Sequence, residues 1–242
     1  MAGIVSRDVE YAHNSTRMLG FFCVGDGAAA LRPGVLIVHD AFGLGDRMKA
    51  IAARLAGLGY AAFAVDLWGG RKTLTDRAEI GATIGRFTAD RAMWMGRIAA
   101  AHAALKAEPG VDGARIGAIG YCFGGASVLE CARVGADFKA VVSFHGGLEA
   151  VGDEWTPGRT KAKVLVTTGF DDPMAPPQAL VALLQAMTKA GVAWEADVYG
   201  HVKHAFTNPD AHRNNRPDVF AYDAGADARS WGAMRALFAE VF

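Results

Sequence analysis

Short, continuous apolar runs recur along the chain, and most are followed by a loop and then by apolar residues at helical spacing. Val35-Leu36-Ile37-Val38, Ala61-Ala62-Phe63-Ala64-Val65, Ile116-Gly117-Ala118-Ile119, residues 139–144 and Val164-Leu165-Val166-Thr167-Thr168 are such runs. Strands this apolar throughout belong in a parallel sheet covered on both faces. Ile51, Leu55 and Leu58 give a helix after the first run, with Asp46 as its expected N-cap and Gly59 as its stop. Ile80, Ile84, Phe87, Trp94 and Ile98 place one or two helices over 76–107, with the Met and Trp residues of 93–95 in helix core. A helix follows Cys122, another spans 177–190, and the last carries Trp231, Met234, Leu237 and Phe238.

Two segments depart from this alternation. Residues 4–12 and 16–24 read as a pair of strands turning at His13-Asn14-Ser15, an antiparallel edge. Residues 25–34 read as a loop, and Trp194–Tyr199 alternates as a half-exposed strand. Strands alternating with helices in this order predict a doubly wound, mostly parallel α/β sheet with helices on both faces. No repeat or linker interrupts the pattern, so residues 1–242 are expected to form a single domain.

Length and charge narrow the functional classes. The 242 residues suffice for one large core. Lys plus Arg and Asp plus Glu number 25 each, so the net charge is zero and no footprint for nucleic acid appears. The N-terminus lacks a signal pattern and no apolar run reaches membrane-spanning length, which points to a soluble protein that binds no membrane. Cys23, Cys122 and Cys131 cannot all pair and show no metal spacing. A reducing, cytoplasmic setting and a site free of metal and cofactor are the expectation.

The strand ending at Gly120-Tyr121-Cys122-Phe123-Gly124-Gly125 runs into a helix through Gly-x-Cys-x-Gly, the strand–turn–helix context of a nucleophile elbow. Gly120 and Gly124 flank Cys122 where strand and helix backbones pass too closely for a Cβ. The side chain is lifted toward the helix N-terminus, whose N–H groups and dipole favour thiolate. Cys23 and Cys131 instead read as small buried hydrophobes.

In an open parallel sheet, ligands collect at the carboxyl ends of the strands. Later strand ends here carry Asp171-Asp172-Pro173 and then His201-Val202-Lys203-His204. Nucleophile, acid and histidine in this order match the α/β-hydrolase arrangement, in which the imidazole activates the nucleophile and the acid orients the imidazole. Two backbone N–H groups, of Phe123 and of Ala41, would form an oxyanion hole. Taken singly, each residue has a duller role: either aspartate could cap the following helix, either histidine could be a solvated loop residue, and Asp40 could serve a helix dipole.

These residues resemble the dienelactone hydrolase family of α/β-hydrolases over nearly the whole chain. The resemblance rests on His39-Asp40-Ala41-Phe42-Gly43-Leu44, Gly59-Tyr60-Ala61-Ala62 through Asp66-Leu67-Trp68-Gly69, the Gly-Tyr-Cys elbow, Asp172-Pro173-Met174-Ala175-Pro176 and His204-Ala205-Phe206. It implies Cys122, His204 and Asp172 as a triad, selecting Asp172 over Asp171 and His204 over His201. It further implies metal-free hydrolysis of a small ester or lactone through a thioacyl-enzyme, by a monomer or small homo-oligomer. Well-studied members carry glutamate at the position of Asp40, where it helps activate the thiol, and an arginine at the position of Asn208, where it grips a substrate carboxylate. Arg213, Arg71 or Arg77 would have to replace that arginine. These departures make neutral substrates as reasonable as dienelactone, and they motivate the contrasting possibility of a non-catalytic small-molecule binding protein. A thiol redox sensor is the weaker third reading, since Cys131 lies too far along the helix to resolve Cys122. The loops 68–76, 147–160 and 207–219 follow the same strand ends and are expected to rim the pocket.

Overall fold

A computed structural model of the protein describes residues 3–27 and 31–242. Its eight strands form one mostly parallel sheet in the order β1-β2-β4-β3-β5-β6-β7-β8. The chain divides into two compact units, 1–118 and 119–242, with the division inside β5.

In the first unit, β1 (Ile4–His13) and β2 (Thr16–Gly25) make the expected hairpin, antiparallel throughout, turning at Asn14 with a φ of 51°. β2 also pairs antiparallel with β4 (Ala61–Ala64), and β4 pairs parallel with β3 (Arg32–Val38). Residues 35–38 are fully buried, as their unbroken apolar character requires. The loop expected over 25–34 is shorter, because β2 runs to Gly25 and β3 starts at Arg32; Ala28, Ala29 and Ala30 lie outside the described residues. β5 (Val111–Tyr121) likewise starts earlier than its apolar run. Its first five residues, Val111-Asp112-Gly113-Ala114-Arg115, are extended although they carry no continuous apolar pattern.

α1 (Asp46–Ala56) packs on β2 and β4, and α3 (Arg91–Ala107) on β1 and β3. Asp46 is not the N-cap: Gly45 holds that place with extended backbone, and Asp46 is the first helical residue. There its charge still complements the helix dipole. The helix ends at Ala56, three residues before Gly59, with Gly57 at the C-cap in right-handed geometry, while Gly59 takes the left-handed turn at φ 97°. α2 (Arg77–Ala89) and α3 resolve the segment 76–107 into two helices, capped by the side chains of Asp76 and Asp90. Trp94 is fully buried, in helix core as its spacing predicts. Asp66, also buried, accepts the N–H groups of Leu19, Gly69 and Arg71 at 2.9, 2.9 and 2.7 Å, tying β2 to the Trp68 loop.

In the second unit, β6 (Ala140–Phe144), β7 (Lys163–Gly169) and β8 (Trp194–Tyr199) pair in parallel in sequence. α4 (Phe123–Arg133) and α6 (Ala224–Val241) pack on β6, and α5 (Pro177–Lys189) on β8. The long loop after β6 is irregular except for one 3-10 turn, Leu148–Ala150, and the loop after β8 contains another at Ala211–Asn214. Glu130, buried in α4, binds the Arg133 side chain and the Gly152 N–H, and so anchors the first of these loops.

The β5–α4 corner is the tightest place in this unit. A Cβ on Gly120 would collide with the Gly124 carbonyl, which is backbone and cannot swing aside. Gly120→Ala is therefore expected to destabilise the protein by about 3 kcal/mol or more in urea unfolding, at the upper end of overpacking costs. Gly81, in the middle of α2 with open space where a Cβ would stand, is the contrasting site. Gly81→Ala should stabilise by about 0.5–1 kcal/mol through helix propensity. Equal effects of the two substitutions would contradict this account of the corner.

Candidate active site

The carboxyl ends of β5, β6, β7 and β8 deliver the chemistry of the second unit. β5 runs into α4 through Cys122, whose φ of 53° and ψ of −116° are rare for a residue with a side chain. Holding such backbone costs on the order of 1–3 kcal/mol and requires surrounding structure to over-determine it. The restraints are visible: the Cys122 N–H reaches the Phe144 carbonyl at 3.1 Å and His145 Nδ1 at 3.2 Å, and the Cys122 carbonyl accepts from Ala126 N–H at 3.2 Å. The side chain is half-buried, whereas Cys23 and Cys131 are buried. Burial pushes the Cys23 thiol up to about 11 and raises that of Cys131 further, with the nearby Glu130 charge adding to the effect. Both behave as the expected inert hydrophobes.

β7 ends at Gly169, and the loop beyond it brings Asp172 inward. A Cβ on Gly169 would strike the Val202 carbonyl, so the absence of one lets the loop after β8 lie directly against this strand end. Asp171 N–H bonds the Val202 carbonyl at 3.1 Å, pinning the two loops together. Asp172 is buried; its Oδ1 accepts from Met174 N–H at 2.8 Å and its Oδ2 lies 2.7 Å from His204 Nδ1. It caps no helix, since α5 starts behind Pro176 without a side-chain cap. Asp171 is exposed, 3.7 Å from a fully exposed His201. The two neighbouring Asp/His pairs thus differ completely in environment, and only Asp172 and His204 form a buried pair.

His204 is locked on all sides. Its N–H donates to the Val219 carbonyl at 3.0 Å, its carbonyl accepts from Ala221 N–H at 3.2 Å, and its ring meets those of Phe220 and His145 edge-on at 5.6 and 5.1 Å between centroids. Burial favours the neutral ring. The charge of Cys122, the hydrogen bond to Asp172 and a polar contact with Cys122 outweigh that cost and raise the imidazole to about 10. Nε2 is buried and has no partner of full hydrogen-bond geometry, so the contact with Cys122 is looser than a formed bond. Looseness of this kind is common before substrate is bound.

His145, at the end of β6, and Thr207, three residues after His204, also belong to this cluster. His145 is buried with a φ of 40°, and its Nε2 lies 2.8 Å from Thr207 Oγ1. The residue pattern alone assigns His145 no role. The available signal was a histidine at the end of an apolar strand, followed by Gly146-Gly147.

The remaining predicted residues lie in the first unit. His39 is buried; Leu67 N–H donates to its Nε2 at 3.2 Å, so Nδ1 carries the proton and donates to the Asp40 carbonyl at 2.6 Å. Burial lowers the pKa of this ring. Asp40 accepts from Phe42 N–H at 3.0 Å and stands 3.5 Å from Arg47, and Ala41 between them is half-buried. Asp40 thus stabilises its own turn. Of the arginines considered for a substrate carboxylate, Arg71 is engaged by Asp8 and by the Leu19 and Gly20 carbonyls. Arg213 pairs with Asp210 in solvent. Asn208 Oδ1 accepts from Asp210 N–H at 3.0 Å, closing a turn. The loop 207–222 forms a hollow of about 340 Å³ lined by Pro209, His212, Asn215, Phe220 and Tyr222 among others. Among the described residues no group of acidic, His or Cys side chains is arranged to hold a metal ion, and no helix is long and apolar enough to cross a membrane.

The model of the dienelactone hydrolase family matches residues 22–242. The chain belongs to that family. Among solved structures, a dienelactone hydrolase-like promiscuous phosphotriesterase from metagenomic libraries is 42% identical, covers 99% of both chains and superposes with a TM-score of 0.93. A putative carboxymethylenebutenolidase of Methylorubrum extorquens is 31% identical over 79% of this chain and 67% of its own. An uncharacterized protein of Caenorhabditis elegans is 33% identical over 60% of this chain and 92% of its own. This family member is a hydrolase with the α/β-hydrolase fold.

The electrostatics of His204 can be checked directly. Its imidazole is expected to titrate near 10 in an NMR pH series. Because the Cys122 charge is the foremost cause of the rise, Cys122→Ala should move the midpoint downward. A midpoint unchanged by that substitution would show that the sulfur and the ring do not interact.

Proposed function

We propose that this hydrolase cleaves small carboxylic esters or lactones through Cys122, His204 and Asp172. One observation carries the reading: a strained cysteine at a helix N-terminus shares a buried cluster with an imidazole whose far nitrogen is 2.7 Å from a buried carboxylate. In the first half-reaction the Cys122 thiol passes its proton to His204 Nε2, the sulfur attacks the acyl carbon, and a tetrahedral oxyanion forms. The Phe123 N–H, in the first turn of α4, is the proposed donor to that oxyanion. The C–O bond then breaks, His204 Nε2 gives its proton to the leaving alkoxide, and a thioester remains on the sulfur. In the second half-reaction His204 removes a proton from water, the resulting nucleophile attacks the thioester, and carboxylic acid and thiol are released. Asp172 holds the ring by Nδ1 so that Nε2 does the proton transfer.

The turn-closing role of Asn208 and the engagement of Arg71 and Arg213 support neutral substrates over carboxylate-bearing ones. The reading includes a cytoplasmic setting, supported by three cysteines none of which is in a disulfide. A second activity, phosphotriester hydrolysis, is proposed from the likeness to the promiscuous phosphotriesterase. The same sulfur would attack phosphorus as the P–O bond to the leaving aryloxide breaks and His204 protonates it, and water would then cleave the P–S bond to give the phosphodiester and the thiol.

Steady-state hydrolysis of a panel of p-nitrophenyl esters, aryl lactones and a p-nitrophenyl dialkyl phosphate tests both. Cys122→Ala and His204→Ala should each lower kcat by about 10⁴-fold or more, and Asp172→Asn by about 10²–10⁴-fold, following triad behaviour. Full activity in either of the first two variants would remove the triad. Absence of turnover by the wild-type protein across the panel would favour a binding protein that keeps the pocket without the reaction.

A further inference from the structure

We infer that His145 is a positioning residue that holds the Cys122 elbow and the His204 loop in mutual register; this rests on the triad reading above. The inference comes from which atom must donate in each of two hydrogen bonds. The Cys122 backbone N–H can only donate, so His145 Nδ1, 3.2 Å away, accepts and carries no proton. The ring's proton then sits on Nε2 and is given to Thr207 Oγ1 at 2.8 Å. One neutral imidazole thus spans from the nucleophile's own backbone to a residue three positions beyond the base. The β6 chain carrying it is fixed by the His145 N–H to the Thr167 carbonyl at 2.8 Å, so the strut stands on the sheet.

The surroundings match this role. His145 is 1% exposed and packs edge-on against His204 and Phe206, at 5.1 and 5.2 Å between ring centroids. Its left-handed φ of 40° is uncommon outside glycine, although His, Asn and Asp tolerate it better than other residues. The strain places the ring where both nitrogens are used. The Cys122 N–H is shared between the Phe144 carbonyl and this ring, so His145 acts on the residue whose φ and ψ aim the sulfur. Misplacing a reacting atom by about 1 Å can cost about 10²-fold in rate. Both ring nitrogens of His145 are committed to the Cys122 backbone N–H and to Thr207 Oγ1, so its effect should fall on geometry and not on proton transfer.

His145→Phe keeps a ring and removes both nitrogens. His145→Asn returns an acceptor near the Nδ1 position and accepts the same backbone. Thr207→Val removes only the far partner of the strut. The readouts are kcat and KM on an activated p-nitrophenyl ester, the rate of Cys122 alkylation by iodoacetamide at pH 7 followed by mass spectrometry, and the thermal midpoint. His145→Phe is expected to lower kcat by about 10–100-fold with KM changed less than about threefold, and to slow alkylation in parallel. His145→Asn should recover most of both, and Thr207→Val should lose several-fold in kcat. Wild-type kcat and alkylation in a folded His145→Phe protein would overturn the inference. So would equal losses in the Phe and Asn variants, which would reduce His145 to packing. If His145→Phe does not fold, Thr207→Val decides: an unchanged kcat in that variant overturns the strut. Wild-type Cys122 that alkylates no faster than Cys122 in urea-unfolded protein would instead sink the triad reading itself.

Discussion

The buried hydrogen bond between Asp172 and His204 is the constraint around which the second unit is arranged. An aspartate and an imidazole removed from water are each costly alone, and together they hold one another in a defined orientation. The raised pKa of His204 shows that the pair does more than neutralise a burial cost. The negative character of the cysteine and of the aspartate, on opposite sides of the ring, outweighs desolvation. Both interactions favour the protonated ring, the state that the proposed mechanism needs beside its sulfur nucleophile.

That pair depends in turn on backbone held in unfavourable conformations at strand ends. Cys122, His145, His201 and Ala205 all carry left-handed φ values within loops that meet at the ends of β5, β6 and β8. Gly120 and Gly169 permit the closest backbone approaches on either side. Strain at these positions is maintained by hydrogen bonds from neighbouring strands, so the sheet pre-organises the site. The same device appears in the first unit, where His39, neutral and buried, joins the Leu67 N–H to the Asp40 carbonyl. His39 and His145, both buried at strand ends, thus each tie a backbone group to a second segment of their own unit.

Much of this was legible in the residue pattern. Fully apolar runs identified the buried strands, and the Gly-x-Cys-x-Gly turn identified the corner, because sterics at such a corner leave few alternatives. The order Cys122, Asp172, His204 pointed to strand ends whose Asp172 and His204 side chains meet in a hydrogen bond. What the pattern missed has physical causes. The starts of β3 at Arg32 and of β5 at Val111-Asp112-Gly113-Ala114-Arg115 carry no continuous apolar run, and pairing by backbone leaves no side-chain signature there. Gly45 caps α1 through its backbone conformation, whereas a side-chain cap was read into Asp46. The choice between Asp171 and Asp172 turns on burial that two adjacent aspartates do not reveal, and it came from family resemblance. The role of His145 depends on contacts with residues 23 and 62 positions away, which no local pattern encodes.

The central claim is covalent catalysis at one sulfur. Rapid mixing with a p-nitrophenyl ester, acid quenching and intact-mass analysis with peptide mapping tests it most directly. The account predicts a transient adduct of one acyl group on Cys122, absent from Cys122→Ala. Turnover of the ester with no acyl group ever detected on Cys122, or with the adduct mapped to another residue, would contradict it.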